Sequence, residues 1–328
     1  MNLRTTFPID PSPYKITYDD GVMFIGSCFA SSIGEQMEKG KMSIMINPAG
    51  TVYNPVSVCN TLDSITAGKE FTKDNLHFHE GIWLSFFHYT DFSSEDPDKS
   101  LLKINSKLKE AEFFLKNAGF LFITLGTARI YRWKKTGQVV SNCHKIPSGE
   151  FSHELLSVKE IVDLWTSQLD RLSALYPDLK VIFTISPVRH LKDGAHGNQV
   201  SKSVLFLAVE ELLGHSSKPQ YFPAYELLMD DLRDYRFYRE DMIHPSDSSI
   251  NYIWDAFSAS YLDAEAVKIW NEAMKITKAR HHRFNTDSIS KKKDFAQKML
   301  NHISQIEKTV SHIDFSEEQS YFLNLLNS

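Results

Sequence analysis

The sequence predicts an α/β protein in which a central parallel sheet lies between helices on both faces, followed by a helical C-terminal extension. Two observations predict this fold. Short apolar runs, typical of strands that are buried on both faces, alternate with helical stretches. Each run also ends in a loop rich in Gly, Pro, Ser or His, and ligands of such sheets bind beyond the carboxyl ends of the strands.

The first half of the chain begins with a strand over 22–26 that leads directly into a helix over 30–39, which Gly40 ends. A second strand over 43–46 stops at Asn47-Pro48-Ala49-Gly50, because a proline cannot continue a central ladder. The chain then continues with a helix over 56–65, an aromatic-rich candidate strand over 83–89, a helix over 103–116 and the clearest central strand over 120–125.

The second half continues the alternation of strands and helices. Its segments are a hairpin (130–133 with 138–141), a helix (158–175), a buried strand (180–185), a helix (201–213) and a short last strand (220–222). Ser246 is expected to cap a further helix. Beyond it, apolar residues recur every three or four positions from Phe295 to Ile313, which predicts an amphipathic helix. We therefore divide the chain into an α/β domain, 1–275, and a helical extension, 276–328.

The composition excludes several classes of protein. With 328 residues, 42% of them hydrophobic, the chain can bury one large core with an accessory element, or two modest ones. A net charge of -5 argues against a nucleic-acid partner, since neutralising phosphates needs excess Lys and Arg. No apolar run approaches the roughly 20 residues that span a bilayer, so no membrane partner is expected. The oligomeric state is left open.

The cysteines indicate the compartment. Three of them, Cys28, Cys59 and Cys143, make an odd number without Cys-x-x-Cys spacing, so neither a disulfide framework nor a structural zinc site is expected. The first residues also lack the continuous apolar core of a secretory signal. We therefore expect a cytoplasmic protein, and we expect no cofactor.

Two distant segments hold the residue types of a nucleophilic site. Gly26-Ser27-Cys28 joins a strand to a helix, where free backbone N–H groups and the positive end of the helix dipole favour a thiolate or an oxyanion. Asp241 and His244 are three positions apart, a spacing that lets the carboxylate accept the Nδ1–H of the imidazole and leaves Nε2 to face a nucleophile. The pair predicts a general base for one of the two side chains at the junction.

The first of these segments, Gly26-Ser27-Cys28-Phe29-Ala30, resembles the motif that gives the GSCFA domain family its name. The resemblance extends over most of the chain, through the blocks 47–55, 142–145, 186–190 and 241–245. It implies a three-layer α/β/α domain of the SGNH/GDSL hydrolase superfamily, which is flavodoxin-like in architecture and cleaves esters. This resemblance assigns Asp241 as the residue that orients the base and His244 as the general base.

The same resemblance leaves the nucleophile and the oxyanion-binding groups open. Strict register with Gly-Asp-Ser places Cys28 at the nucleophile, whereas a shift of one residue restores Ser27. The N–H of Gly50 corresponds to one oxyanion donor. The usual Asn of the third block is missing from Gly126-Thr127-Ala128-Arg129, so Thr127, or Asn54 or Asn142 from other loops, is the candidate for the second donor.

Further candidates for substrate contact follow two other strands or loops. We expect His144, Lys145, Arg189 and His190 to form a cationic rim on the same face, which would suit a carboxylate, phosphate or polyhydroxyl substrate. Each of them also has a structural interpretation, as a donor to loop carbonyls.

The predicted function is that of an ester hydrolase, or an acyltransferase, for a small-molecule or carbohydrate ester, acting through an acyl-enzyme. Two alternatives remain at this point. One is a binding module that keeps the hydrolase architecture without turnover, which the missing Asn favours. The other is a metal-dependent enzyme with a mixed coordination shell drawn from Cys28, Cys143, His144, His190, Asp241 and His244.

Overall fold

The chain folds around a five-stranded parallel sheet, as seen in a computed structural model that describes residues 5–282, 284 and 288–327. The strands in chain order are β1 (Gly21–Gly26), β2 (Ile44–Ile46), β3 (His77–His79), β4 (Ile82–Leu84), β5 (Ala118–Leu125), β6 (Arg129–Trp133), β7 (Val139–Val140), β8 (Phe151–Leu155), β9 (Lys180–Ile185) and β10 (Gln220–Tyr221). The helices are α1 (Cys28–Lys39), α2 (Pro55–Thr66), α3 (Pro97–Lys116), α4 (Val158–Leu175), α5 (Gly194–Leu213), α6 (Ala224–Glu226), α7 (Asp247–Tyr261), α8 (Ala264–Arg280), α9 (Ile289–Thr309) and α10 (Ser316–Asn327).

The order of strands in the central sheet is β10-β9-β5-β1-β2, and all four neighbouring pairs are parallel. β5 lies between β1 and β9, with Phe122 opposite both Phe24 and Ile182. This order places the carboxyl ends of β1, β5 and β9 side by side. The predicted three-layer α/β/α fold is confirmed.

Both faces of the sheet are buried, because successive side chains of a strand point to opposite sides. Val22 and Phe24 of β1 pack with α1, α7 and the C-terminal helices. Met23 and Ile25 of the same strand pack instead with α2, α3, α4 and α5. The continuous apolar run in the sequence is explained by these two cores.

Within the described residues, two small antiparallel sheets lie outside the central one. β3 pairs with β4, and the aromatic segment expected as a strand over 83–89 is extended only as far as Leu84 before it turns. The predicted hairpin is present as β6 and β7, and β8 pairs along the other edge of β6. The sequence did not predict β8, because the apolar residues of this strand do not form a continuous run.

The helical extension packs on the first core rather than standing apart from it. Ile276, Ile303 and Phe322 belong to the same buried cluster as the sheet residue Phe24. The expected amphipathic helix ends earlier than predicted, at Thr309, and Val310 and Ile313 lie in the turn that leads to α10. The expected boundary between 275 and 276 falls inside α8 and stays a prediction. No described helix is long and apolar enough to cross a membrane.

Candidate active site

The junction of β1 and α1 is a tight turn that only glycine fits. Gly26 has φ 148°, and a Cβ there would lie 2.2 Å from the carbonyl oxygen of Thr124. Ser27 is the N-cap of α1, and its Oγ accepts a hydrogen bond from the Phe29 N–H at 3.2 Å. Only 2% of the Ser27 surface is exposed, whereas Cys28 is partly exposed. The junction therefore occupies the serine hydroxyl as a cap and leaves the thiol more accessible.

The loop after β2 holds this turn in place. Gly26 N–H donates to Asn47 Oδ1 at 2.8 Å, and Val52 N–H donates to the Gly26 carbonyl oxygen at 3.1 Å. Ser27 N–H is bound to the Thr124 carbonyl oxygen at 3.1 Å. Because the loop after β2 and strand β5 both bond these two residues, the position of α1 relative to the sheet is strongly constrained.

Opposing effects act on the Cys28 thiol. Burial raises its pKa above the ordinary value. Hydrogen bonds from the N–H groups of Cys28 and Phe29, and the positive charges of Arg239 and Lys202, act in the other direction without overcoming it. The thiol is therefore protonated at neutral pH, and a reaction at this sulfur needs a base to remove its proton.

Asp241 and His244 form the pair that their spacing predicts. His244 Nδ1 lies 2.7 Å from Asp241 Oδ2, and Asp241 Oδ1 accepts the backbone N–H groups of Ile243 and His244 at 2.8 and 2.9 Å. These backbone hydrogen bonds, followed by the imidazole, lower the pKa of Asp241 to about 2. A fully charged carboxylate thus fixes the imidazole and leaves Nε2 as the nitrogen that is able to accept a proton.

The loop after β9 joins the base loop to the strand ends. Arg189 N–H donates to the Ile243 carbonyl oxygen at 3.4 Å, and the next residue, His190, is close enough to His244 for their charges to interact. Burial lowers the pKa of His190 to about 4, so its imidazole is neutral at physiological pH. His190 Nε2 is buried and has no hydrogen-bond partner among the described residues.

A buried lysine completes the group, and the sequence analysis missed it. Lys202 lies on α5 with 2% of its surface exposed, and its Nζ donates to the Ser186 carbonyl oxygen at the end of β9, at 2.6 Å. Burial lowers its pKa to about 7, while the nearby Cys28 thiol acts in the opposite direction. The available signal was positional, since Lys202 continues the buried stripe of Asn198, Leu205 and Val209.

The expected oxyanion donors are largely engaged in other bonds. The Gly50 N–H donates to the Asn47 carbonyl oxygen at 2.7 Å, within its turn. The Asn54 side chain caps α2 through the Ser57 N–H and hydroxyl. Thr127 Oγ1 bonds Ser201 Oγ at 2.8 Å, and Asn142 Nδ2 bonds the hydroxyl of Thr90. The Gly50 N–H is therefore not free to receive an oxyanion in this conformation, whereas the bond to Ser57 Oγ uses only one of the two N–H groups of the Asn54 amide.

The predicted cationic rim is divided among several environments. His144 bonds the Ser85 carbonyl oxygen at 2.8 Å and packs near Phe86, and Lys145 is exposed in a left-handed conformation. The Arg189 guanidinium lies over the rings of Tyr235 and Tyr238. Of the four, only His190 lines the cavity at the strand ends.

That cavity, which we call the strand-end cavity, has a volume of about 270 Å³. It lies between the loops that follow β2, β5 and β9 and the sheet of β6, β7 and β8. Its walls include polar, charged and aromatic side chains, among them Tyr53, Thr127, Arg129, Tyr131, Asn142, Cys143, His153, His190, Lys192 and Asp193. Burial, followed by nearby ionisable groups that include Cys28, raises the pKa of Tyr53, which places the thiol within electrostatic reach of this wall.

A larger concavity of about 620 Å³ lies between α1, α7 and α8 and includes Ser32 and Arg239. The smaller strand-end cavity, in contrast, lies beyond the carboxyl ends of the strands, which is where parallel sheets usually bind ligands. No group of three or more His, Cys, Asp or Glu side chains suited to a metal ion occurs within the described part of the chain.

Comparison with known proteins gives a family and two distant structures. A protein from Streptococcus pneumonia, provisionally described as a platelet activating factor, is 13% identical with a TM-score of 0.39, over 73% of this chain and 83% of that one. A provisionally described GDSL-like lipase from Parabacteroides merdae is 10% identical with a TM-score of 0.37, over 80% of this chain and 100% of that one. No curated protein matches. The profile of the GSCFA family matches residues 21–257, most of the chain, and the protein therefore belongs to the GSCFA family.

Proposed function

We propose that this protein cleaves an ester bond through an acyl-enzyme formed on Cys28, with His244 as the general base and Asp241 as the residue that orients it. The main support is the bond of 2.7 Å between His244 Nδ1 and Asp241 Oδ2, on a loop that is joined to the end of β9. The base loop also approaches Cys28, because Arg239, whose N–H donates to the His244 carbonyl oxygen at 2.8 Å, is close enough for its charge to lower the pKa of the thiol. The partly exposed, protonated Cys28 thiol is the group from which we expect His244 to remove a proton.

In the first half of the proposed reaction, His244 Nε2 takes the thiol proton as Cys28 Sγ attacks the ester carbonyl carbon. The resulting oxyanion collapses, the bond from carbon to the alcohol oxygen breaks, and the imidazolium gives its proton to the departing alcohol. In the second half His244 takes a proton from water, which attacks the thioester. The products are a carboxylic acid and the free thiol. A sugar hydroxyl in place of water would make the same protein a transferase.

The surrounding charges favour the thiolate while it forms. The backbone N–H groups of Cys28 and Phe29 at the start of α1, followed by the charges of Arg239 and Lys202, all act to lower the pKa of the thiol. Their effect is smaller than that of burial, so the thiolate forms only when the base removes the proton. We therefore expect activity to depend on His244 rather than on a thiolate that exists in the resting protein.

The test combines covalent labelling with turnover. Wild type, Cys28→Ala, Ser27→Ala and His244→Ala are assayed on short-chain aryl esters and acetylated sugars, and mass spectrometry locates any adduct of an acyl-thiol probe or a fluorophosphonate. The proposal expects an adduct on Cys28, and His244→Ala should slow the formation of this adduct about a hundredfold or more.

Two matched controls should retain activity. Cys59→Ala removes a buried thiol in the other core, and His215→Ala removes an imidazole that pairs with Asp170 on the surface. An adduct on Ser27 would reassign the nucleophile.

A binding module without turnover is the second candidate, and one observation favours it. The Gly50 N–H, the expected oxyanion donor, is bound to the Asn47 carbonyl oxygen at 2.7 Å, and the usual Asn of the third block is missing from the sequence. Folded wild-type protein that binds a sugar ligand but forms no adduct and hydrolyses no ester would support this candidate and contradict the first.

A further inference from the structure

The strand-end cavity contains polar groups whose hydrogen-bonding capacity the protein does not use. Arg129 Nε is buried and has no hydrogen-bond partner among the described residues, although Asp193 Oδ2 lies 3.5 Å away. On the other wall, His190 Nε2 is likewise buried without a partner among the described residues. It lies beside Gly126, where an added Cβ would come within 2.9 Å of this nitrogen. Buried polar groups in proteins are nearly always hydrogen-bonded, and exceptions need an explanation. A bound ligand would supply it.

The charges in the cavity favour a ligand with a single negative charge. Two cations, Arg129 and Lys192, face one carboxylate, Asp193. The hydrogen bond that Lys192 Nζ donates to the Tyr131 hydroxyl raises the pKa of the lysine, which therefore stays charged. Burial lowers the pKa of His153, so this ring adds no charge at neutral pH. One net positive charge remains, which suits a carboxylate better than a doubly charged phosphate, and a guanidinium matches the planar geometry of a carboxylate.

The remaining walls suit a sugar ring. Tyr131 and His153 are stacked with ring centroids 4.3 Å apart, and the centroids of Tyr53 and His190 lie 5.1 Å apart, so aromatic side chains border the cavity on two sides. Tyrosine presents an apolar face for ring C–H groups and a hydroxyl for hydrogen bonds. A volume of about 270 Å³ is at the lower end for ligand pockets and accommodates one ring rather than an oligosaccharide.

We propose that the strand-end cavity is a subsite for a carboxylate-bearing sugar ring, in which Arg129 and Lys192 bind the carboxylate. If the proposed function holds, this subsite selects acylated acidic sugars as the esters presented to Cys28. Arg129 and Lys192 determine specificity in this scheme and take no part in the acyl transfer.

The test measures binding in a protein that cannot turn over, so that it is independent of the reaction. Cys28→Ala protein is titrated with D-galacturonate and D-glucuronate, with the neutral sugars D-galactose and D-glucose, and with inorganic phosphate, and binding is followed by NMR. We expect the uronates to bind, the neutral sugars to bind at least tenfold more weakly, and Arg129→Gln to weaken uronate binding about ten- to hundredfold. Lys192→Gln, at an exposed side chain, should weaken it in the same direction.

Arg132→Gln is the matched control. Arg132 lies on the same strand but pairs with Glu154 outside the cavity, so its loss should leave uronate binding unchanged. The proposal is overturned if neither uronate binds, if the neutral sugars bind equally well, or if phosphate binds more tightly than both uronates. Uronate binding without any esterase activity would refute the proposed function and leave the subsite intact. Esterase activity without uronate binding would refute the subsite and leave the proposed function intact.

Discussion

Replacing Lys202 with methionine should stabilise the protein, and the gain should depend on pH. The wild-type side chain lies in the core with its Nζ bound to the Ser186 carbonyl oxygen, and burial lowers its pKa to about 7 from 10.5 in the unfolded chain. Below pH 7 the native protein keeps a charged ammonium away from water, which is unfavourable. Methionine has a similar length and avoids this cost, although it leaves the carbonyl oxygen without that donor.

The size of the pH effect follows from the two pKa values. Between pH 7 and 10.5 the unfolded lysine holds a proton that the native one has lost, so the free energy of unfolding of the wild type rises with pH. Each unit of pH in this window contributes at most about 1.4 kcal/mol, and the rise from pH 7 to pH 9 amounts to about 2 kcal/mol. The variant lacks this contribution. Its advantage over the wild type should therefore shrink by about 2 kcal/mol between these two pH values.

Urea unfolding of both proteins at pH 7 and pH 9 measures this difference, with Lys109→Met, an exposed helical lysine, as the control. The control should show a difference from the wild type that is the same at both pH values. If the difference in unfolding free energy between Lys202→Met and the wild type is also the same at both pH values, the reasoning is refuted, because Lys202 would then have an ordinary pKa in the folded protein.

Three further predictions concern the β1 to α1 junction and the base. Gly26→Ala should destabilise the protein by about 3 kcal/mol or more, because the new Cβ would lie 2.2 Å from a backbone oxygen. Gly149→Ala, whose new Cβ would meet no atom within 4 Å, is the control and should cost under about 0.5 kcal/mol. Thermal unfolding of both variants measures the difference. Ser27→Ala should cost about 1 kcal/mol through the lost cap while esterase activity persists, and loss of activity in folded protein would contradict a thiol nucleophile. Asp241→Asn should lower kcat at least about a hundredfold with little change in stability, and an unaltered kcat would show that the imidazole needs no carboxylate.

Much of the fold was predictable because strands buried on both faces leave a local signal. The runs that became β1, β5 and β9 are continuously apolar, and the structure places them at the centre of the sheet. The prediction failed where the apolar pattern is short, or where it continues beyond the end of an element. β8 has one buried residue, Phe151, among its five positions, and the C-terminal stripe of apolar residues continues past the end of α9 into a turn.

The candidate site was predictable only in part. Asp241 and His244 were found because three residues of local sequence bring them together. Arg129 and Lys192 were missed because each is an ordinary surface cation in the sequence, and only the meeting of the β6 sheet with the loop after β9 places both in one cavity. The expected convergence of His144, Lys145, Arg189 and His190 assumed that all strand ends face one space, whereas the small antiparallel sheets separate them.

The sequence by itself determined the alternation of strands and helices, the glycine turn before α1 and the carboxylate-imidazole pair, because these depend on residues close together in the chain. Tertiary structure alone decided which loops are neighbours, since packing of the sheet and its helices joins distant segments, such as Thr127 and Ser201, 74 residues apart. It also decided the protonation of groups such as Lys202 and His190. Their pKa values depend on burial, which no local pattern specifies.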